Sequence, residues 1–170
     1  MLLKKKISLP LMKKINYNSA EDARSYCFYL LSLKDYCEKQ LTDKMKEKGY
    51  CEDAVSESIA YLKERNYVND EDFARSFTQN AVNNRKKGRA YIKSALFRYG
   101  IKEHIIEQVI EECYHSGEIY SLAQNKINSL KKNGVVERKD IEKVKAFLFR
   151  RGFSFDEINK AIERADYEQN

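Results

Sequence analysis

The 170-residue sequence predicts an all-α protein: three tandem three-helix repeats stacked into an elongated, curved helical array. Two observations carry that expectation. Gly49, Gly100 and Gly152 recur at spacings of 51 and 52 residues, the kind of fixed period that marks stacked supersecondary units. Five positions around each glycine are also apolar in every repeat. They are Leu41, Met45, Tyr50, Val55 and Ile59; Ile92, Leu96, Ile101, Ile106 and Ile110; and Val144, Leu148, Phe153, Ile158 and Ile162. A chain that is 42% hydrophobic would place about six apolar residues in fifteen such positions.

Helix geometry accounts for these offsets. Positions eight and four before the glycine share one helix face. A glycine just past the end can take the left-handed conformation that stops the helix, and the next residue then packs on the one five positions earlier. That rule pairs Met45 with Tyr50, Leu96 with Ile101, and Leu148 with Phe153. Positions six and ten after the glycine open a second amphipathic helix. Twelve residues before each glycine, Cys37, Gly88 and Asp140 stand where a cap is expected; Asp140 is the best suited and Cys37 the worst.

An additional helix precedes each pair. Ala20, Ala23, Cys27, Leu30 and Leu31 mark it in repeat one. In repeat two, Asn69 or Asp70 caps an acidic start, followed by a stripe of Phe73, Phe77 and Ala81. In repeat three, Ile119, Leu122, Ala123, Ile127 and Leu130 recur at helical spacing. The expected repeats are 20–66, 69–115 and 118–166, preceded by a basic N-terminal tail, residues 1–19, open to motion. Units of this size bury little surface alone, so stacking is expected to supply the rest of the core.

Composition narrows the function classes. The charged fraction of 34% excludes a membrane-embedded chain, and no segment approaches the ~20 apolar residues needed to cross a bilayer. The four cysteines, at 27, 37, 51 and 113, form no paired metal-ligand spacing with His104 or His115. The short apolar run after the initial lysines holds Pro10 and does not read as a secretory leader. A reduced, cytoplasmic protein with buried thiols is expected.

The net charge of +6 is uneven. Residues 1–19 carry five lysines and no acid, and residues 71–100 carry seven basic groups against two acids. Such zones point to a polyanion or an acidic protein surface as partner. Arg85, Lys86, Lys87, Arg89, Lys93 and Arg98, with Tyr91, Phe97 and Tyr99 interleaved, form the second zone. It suits phosphates or an acidic protein patch; the plainer alternative is a solvated connection between helices with its aromatics in the core.

Other chemistries read weakly. A helix-turn-helix that enters the major groove would not place an acidic face such as Glu107, Glu111 and Glu112 on its final helix. Asp70, Glu71 and Asp72 point about 100° apart on a helix and suit its N-terminal dipole better than a metal. No phosphate-loop, dinucleotide, zinc-protease or nucleophile-elbow motif occurs, so no enzyme, cofactor or metal is expected.

The stretch Tyr67-Val68-Asn69-Asp70-Glu71-Asp72-Phe73-Ala74 resembles the leucine/valine-Asn-Asp-x-x-Phe-Ala motif of the RecX family of bacterial recombinase regulators. Arg85 to Ile92, with Leu96 and Gly100-Ile101, resembles that family's second unit. Leu30-Leu31-Ser32, Lys34 to Cys37, Leu41 and Lys48-Gly49-Tyr50 resemble its first. The chain departs from the family where Gly88-Arg89 replaces a frequent Gly-Pro, and where Lys34 and Cys37 replace Arg and Ser. The resemblance covers about residues 20–165. It marks Asn69, Asp70, Phe73 and Ala74 as motif residues and implies a non-enzymatic negative regulator of RecA. Such a protein binds RecA or the RecA–DNA filament and lowers filament growth, ATPase, strand exchange and co-protease activity. The alternative is a general nucleic-acid-binding helical module acting without RecA. Weak direct DNA binding, no membrane partner and a monomeric state complete the expectation.

Overall fold

The computed structural model describes residues 15–115, 117–131 and 136–167. Among them are nine helices and no strand. They are α1 (Ala20–Leu31), α2 (Glu38–Lys48), α3 (Glu52–Glu64), α4 (Asp70–Asn83), α5 (Arg89–Arg98), α6 (Glu103–Cys113), α7 (Glu118–Leu130), α8 (Arg138–Arg150) and α9 (Phe155–Tyr167). The chain divides into two compact units, Met1–Val68 and Asn69–Asn170. The first holds α1–α3; the second holds two further triplets, α4–α6 and α7–α9. In every triplet the first and third helices make the largest contact.

In the first unit, Ser19 caps α1 by accepting the Asp22 amide at 3.3 Å. At the start of α2 the Cys37 amide donates to Gln40 Oε1 at 3.3 Å while the Cys37 side chain faces the Gln40 amide, a reciprocal capping box. Within the segment expected as a tail, residues 1–14 lie outside the described residues. Residues 15–19 are tied down: the Cys51 amide donates to the Tyr17 carbonyl at 3.0 Å, and the Tyr17 ring packs edge-on against Tyr50. Helix α3 stops at Asn66, with φ +55°. The Tyr67 amide there donates back to Leu62 at 2.8 Å, closing the helix as a glycine would.

The three glycines share one geometry. Gly49, Gly100 and Gly152 hold φ of +101°, +79° and +89°. The amide after each donates to the carbonyl five residues back: Tyr50 to Met45 at 3.1 Å, Ile101 to Leu96 at 3.1 Å and Phe153 to Leu148 at 3.4 Å. The glycine amides themselves donate to Lys46, Phe97 and Phe149. This is the two-bond Schellman stop, three times over. All fifteen apolar positions around the glycines are buried, none more than 7% exposed.

Three expectations need correction. Asp140 is not the N-cap of α8; Glu137 holds that position without a side-chain capping bond, and the helix starts three residues earlier than expected. Asp140 is instead buried in the first turn, where the Lys143 ammonium at 2.7 Å holds its carboxyl below the usual range. The core face of α4 is Ala74, Thr78, Ala81 and Val82, rotated from the expected stripe. Phe73 and Phe77 are half-buried beside it, both meeting Tyr99 edge-on at 5.5 and 5.6 Å. Two thiols, Cys27 and Cys37, are buried, whereas Cys51 and Cys113 are half-exposed. The core beneath α7–α9 gathers buried side chains from those three helices and Phe153 from the turn between α8 and α9. Within the second unit, the described contacts between the triplets include backbone hydrogen bonds from Gly88 and Ala90 to the α8–α9 turn and the Arg151 side chain.

Candidate partner-binding surface

The basic zone lies in the second unit, on the α4–α5 connection and along α5, where it meets the α8–α9 turn. Helix α5 begins at Gly88, which has no side chain to cap the orphan amides of the first turn. Groups from elsewhere take that role. The Gly88 amide donates to the Arg151 carbonyl at 2.9 Å, and the Ala90 amide to the Gly152 carbonyl at 3.1 Å. The Arg89 amide lies against the Tyr114 hydroxyl, which donates to Glu157 Oε1 at 2.7 Å. Glu157 in turn accepts from the Ser154 amide and hydroxyl at 2.8 and 2.9 Å, closing the start of α9. Burial first, and then the Glu157 carboxylate, push the Tyr114 phenol well above its ordinary value.

Arg151 locks the connection from the other side. Its guanidinium donates to the carbonyls of Arg85 at 2.8 Å and Lys86 at 3.2 Å, and lies 4.8 Å from the Phe147 ring centroid. Lys86 holds φ +50°, a left-handed conformation that non-glycine residues seldom adopt. Sequence reasoning missed Arg151, Tyr114 and Glu157. Their meeting joins positions of different register in the repeat, so no spacing in the sequence pointed to it.

The predicted basic residues are brought together, but not as naked charges. Lys86 pairs with Glu118 at 2.6 Å and Arg89 with Glu107 at 2.8 Å. Lys93 reaches Glu107 at 2.5 Å and Glu103 at 3.3 Å. Lys93 and Arg89 hold the Glu107 carboxyl below the usual range, and Glu107 and then Glu103 raise Lys93. Lys87 lies over the Tyr91 ring at 4.4 Å. Arg98 stands on the last turn of α5, away from the connection. A groove of about 510 Å³, lined by Arg89, Lys93, Tyr114, Gly152, Ser154 and Glu157, runs along the joint. Exposed ion pairs contribute little to stability, so these cations can exchange partners at small cost.

The motif residues have structural tasks. Asn69 caps α4, its Oδ1 accepting the Glu71 and Asp72 amides at 2.9 and 3.3 Å. Asp70 opens the helix, Phe73 joins the Phe77–Tyr99 cluster and Ala74 is fully buried. Among the described residues, no three His, Cys, Asp or Glu converge as a metal site needs, and no helix is long and apolar enough to cross a membrane.

Fold and surface define a class: an all-α protein of tandem three-helix modules with a cationic, polar-jointed face. Three family models match in order: RecX, first three-helix domain, over residues 23–62; the second over 69–110; and the third over 118–162. The chain belongs to the RecX family of regulatory proteins. It is 38% identical over 149 residues to the regulatory protein RecX of Caldanaerobacter subterraneus subsp. tengcongensis, covering 87% of this chain and 73% of that one. It is 36% identical over 130 residues to its counterpart from Clostridium perfringens strain SM101, of whose length it spans 60%. The crystal structure of RecX from Lactobacillus salivarius superposes with a TM-score of 0.77 at 26% identity, covering 87% of this chain and 97% of that one.

Proposed function

We propose that this protein is a negative regulator of RecA. It binds RecA or the RecA–DNA filament and lowers filament growth, ATPase, strand exchange and co-protease activity. The ordered match of three RecX domains to the three helix triplets carries this reading. The cationic face at Arg85, Lys86, Lys87, Arg89 and Lys93 supports it by suiting an acidic partner surface. The modules, taken as 20–66, 69–115 and 118–166, offer separate weak contacts that strengthen one another on a single chain. The protein acts as a cytoplasmic monomer, without cofactor or catalysis. The test is RecA's DNA-dependent ATPase, paired with co-sedimentation on RecA filaments with and without DNA. Inhibition at low protein-to-RecA ratios is expected; a purified protein that neither binds RecA nor slows its ATPase removes the reading.

The basic zone also favours a second reading, a general nucleic-acid module acting without RecA. Its affinity for DNA alone would fall steeply with salt as phosphate counterions are displaced. Tight, salt-sensitive DNA binding with no effect on RecA selects it.

A further inference from the structure

The three helix stops are alike in backbone but not in what flanks them. Three residues before and after Gly49 stand Lys46 and Glu52, which form an exposed ion pair at 3.3 Å. The same positions around Gly152 hold Phe149 and Phe155, whose rings stack with centroids 5.0 Å apart. Those rings are 53% and 68% exposed. Residue 155 opens its helix where Glu52 and Glu103 open theirs, a place where an acid complements the helix dipole. The fold therefore closes this corner with an ion pair elsewhere and has no need of two aromatic rings in water. Phe97, in the same register as Phe149, is 72% exposed, and each is followed by an arginine, Arg98 or Arg150.

We infer that the α8–α9 corner is a docking knob for a folded protein: Phe149 and Phe155 enter an apolar pocket whose rim sets a carboxylate against Arg150 and a cation against Asp156. Large exposed aromatics beside arginine are the residue types that dominate protein interfaces when buried. Charge identifies the rim. Residues 138–151 hold six basic groups against two acids. Lys139, Lys143 and Lys145 are paired with Glu137, Asp140 and Glu142, and Arg151 is turned to the carbonyls of Arg85 and Lys86, which leaves Arg150 as the cation beside the knob. Asp156, directly after Phe155, gives the opposite side an acid. A protein surface bearing both signs matches that rim, whereas a nucleic-acid strand stacked on Phe155 would bring phosphates onto Asp156. The inference rests on the RecA reading, with a RecA subunit as the docked partner.

The test transplants the first repeat's solution. The full chain carrying Phe149→Lys and Phe155→Glu keeps its net charge and can form the ion pair seen at Lys46 and Glu52. Its melting temperature is expected within about 4 °C of the parent. Binding of both proteins is titrated against RecA filaments on single-stranded DNA, and against the same DNA without RecA. Support is a loss of about tenfold or more on filaments with DNA binding unchanged. Equal filament binding by parent and variant overturns the knob while leaving the RecA reading intact. A parallel loss on bare DNA also overturns it, making the corner a base-stacking surface. If the parent binds no filament, the RecA reading and the knob as a RecA contact fall together. Should the double variant melt early, Phe155→Glu alone, which restores the acid found at residues 52 and 103, gives the same comparison.

Discussion

No side chain fits between Gly88 and Gly152: a Cβ on Gly88 would lie 2.3 Å from the carbonyl carbon and oxygen of Gly152. The start of one module's middle helix thus rests on the helix stop of the next, backbone against backbone. Gly88 has an ordinary extended conformation, so its requirement for glycine is one of space, not of φ. At a free helix start, exchanging Gly for Ala costs little more than a weaker cap. Here Gly88→Ala is expected to cost about 2–3 kcal/mol, because the joint must open or both turns must shift. Urea unfolding of parent and variant checks this. A midpoint unchanged within error would mean that the two turns do not touch in solution.

The three stops should respond differently to substitution. Gly49→Ala meets only the Tyr17 ring at ordinary contact distance, so its cost is the left-handed backbone, about 1–2 kcal/mol. Gly100→Val is expected to lose about 1–2 kcal/mol or more, since a β-branched residue resists positive φ. Gly152→Ala adds a clash at 2.4 Å with the Tyr91 amide nitrogen and should exceed both. Thermal melts of the three variants should rank Gly152→Ala lowest; a Gly152→Ala protein that melts above Gly49→Ala would contradict the close approach.

Alkaline pH should loosen the second unit. The Tyr114 phenol titrates higher in the folded chain than its ordinary 10.0, so the folded state binds this proton more tightly than the unfolded one. Its contribution to stability is complete below pH 10.0 and declines as pH rises above that value. Tyr114→Phe removes this dependence but leaves Glu157 Oε1 and the Arg89 amide short of a partner, costing about 1–3 kcal/mol at neutral pH. Unfolding midpoints measured from pH 8 to 11 for both proteins test the sign. A steeper alkaline loss in the variant would refute it.

Charge at the α5 surface should set partner affinity without setting the fold. Converting Lys86, Lys87 and Arg89 together to Gln removes three cations and avoids placing carboxylates against Glu118 and Glu107. Inhibition of RecA ATPase is expected to weaken several-fold while helix content by circular dichroism stays the same. Unchanged inhibition would clear these residues of any role.

The opposite change should have the opposite effect. Glu107→Gln frees Arg89, leaves Lys93 with Glu103 alone, and raises the local charge. Binding to an acidic partner should tighten and become more salt-dependent. A binding isotherm insensitive to this substitution at low salt would place the partner elsewhere.

The amino-acid sequence determined the helical repeat, because every signal for it is local. Leu96, Gly100 and Ile101 lie within one turn and its stop, so apolar spacing and glycine together specify where the helix ends. The same locality explains Asn69, whose cap closes within three residues. Tertiary structure decided what joins the modules and what the basic residues face. Asp140 looked like a cap, yet the helix extends past it to Glu137 and buries it. Phe73 looked like core, yet Ala74 and Thr78 take that face. Arg151 reaches the carbonyls of Arg85 and Lys86 across 66 and 65 residues, and Tyr114 reaches Glu157 across 43. Periodicity reports which face of a helix is apolar, whereas hydrogen bonds between turns depend on how distant backbones meet, and no local pattern encodes that meeting.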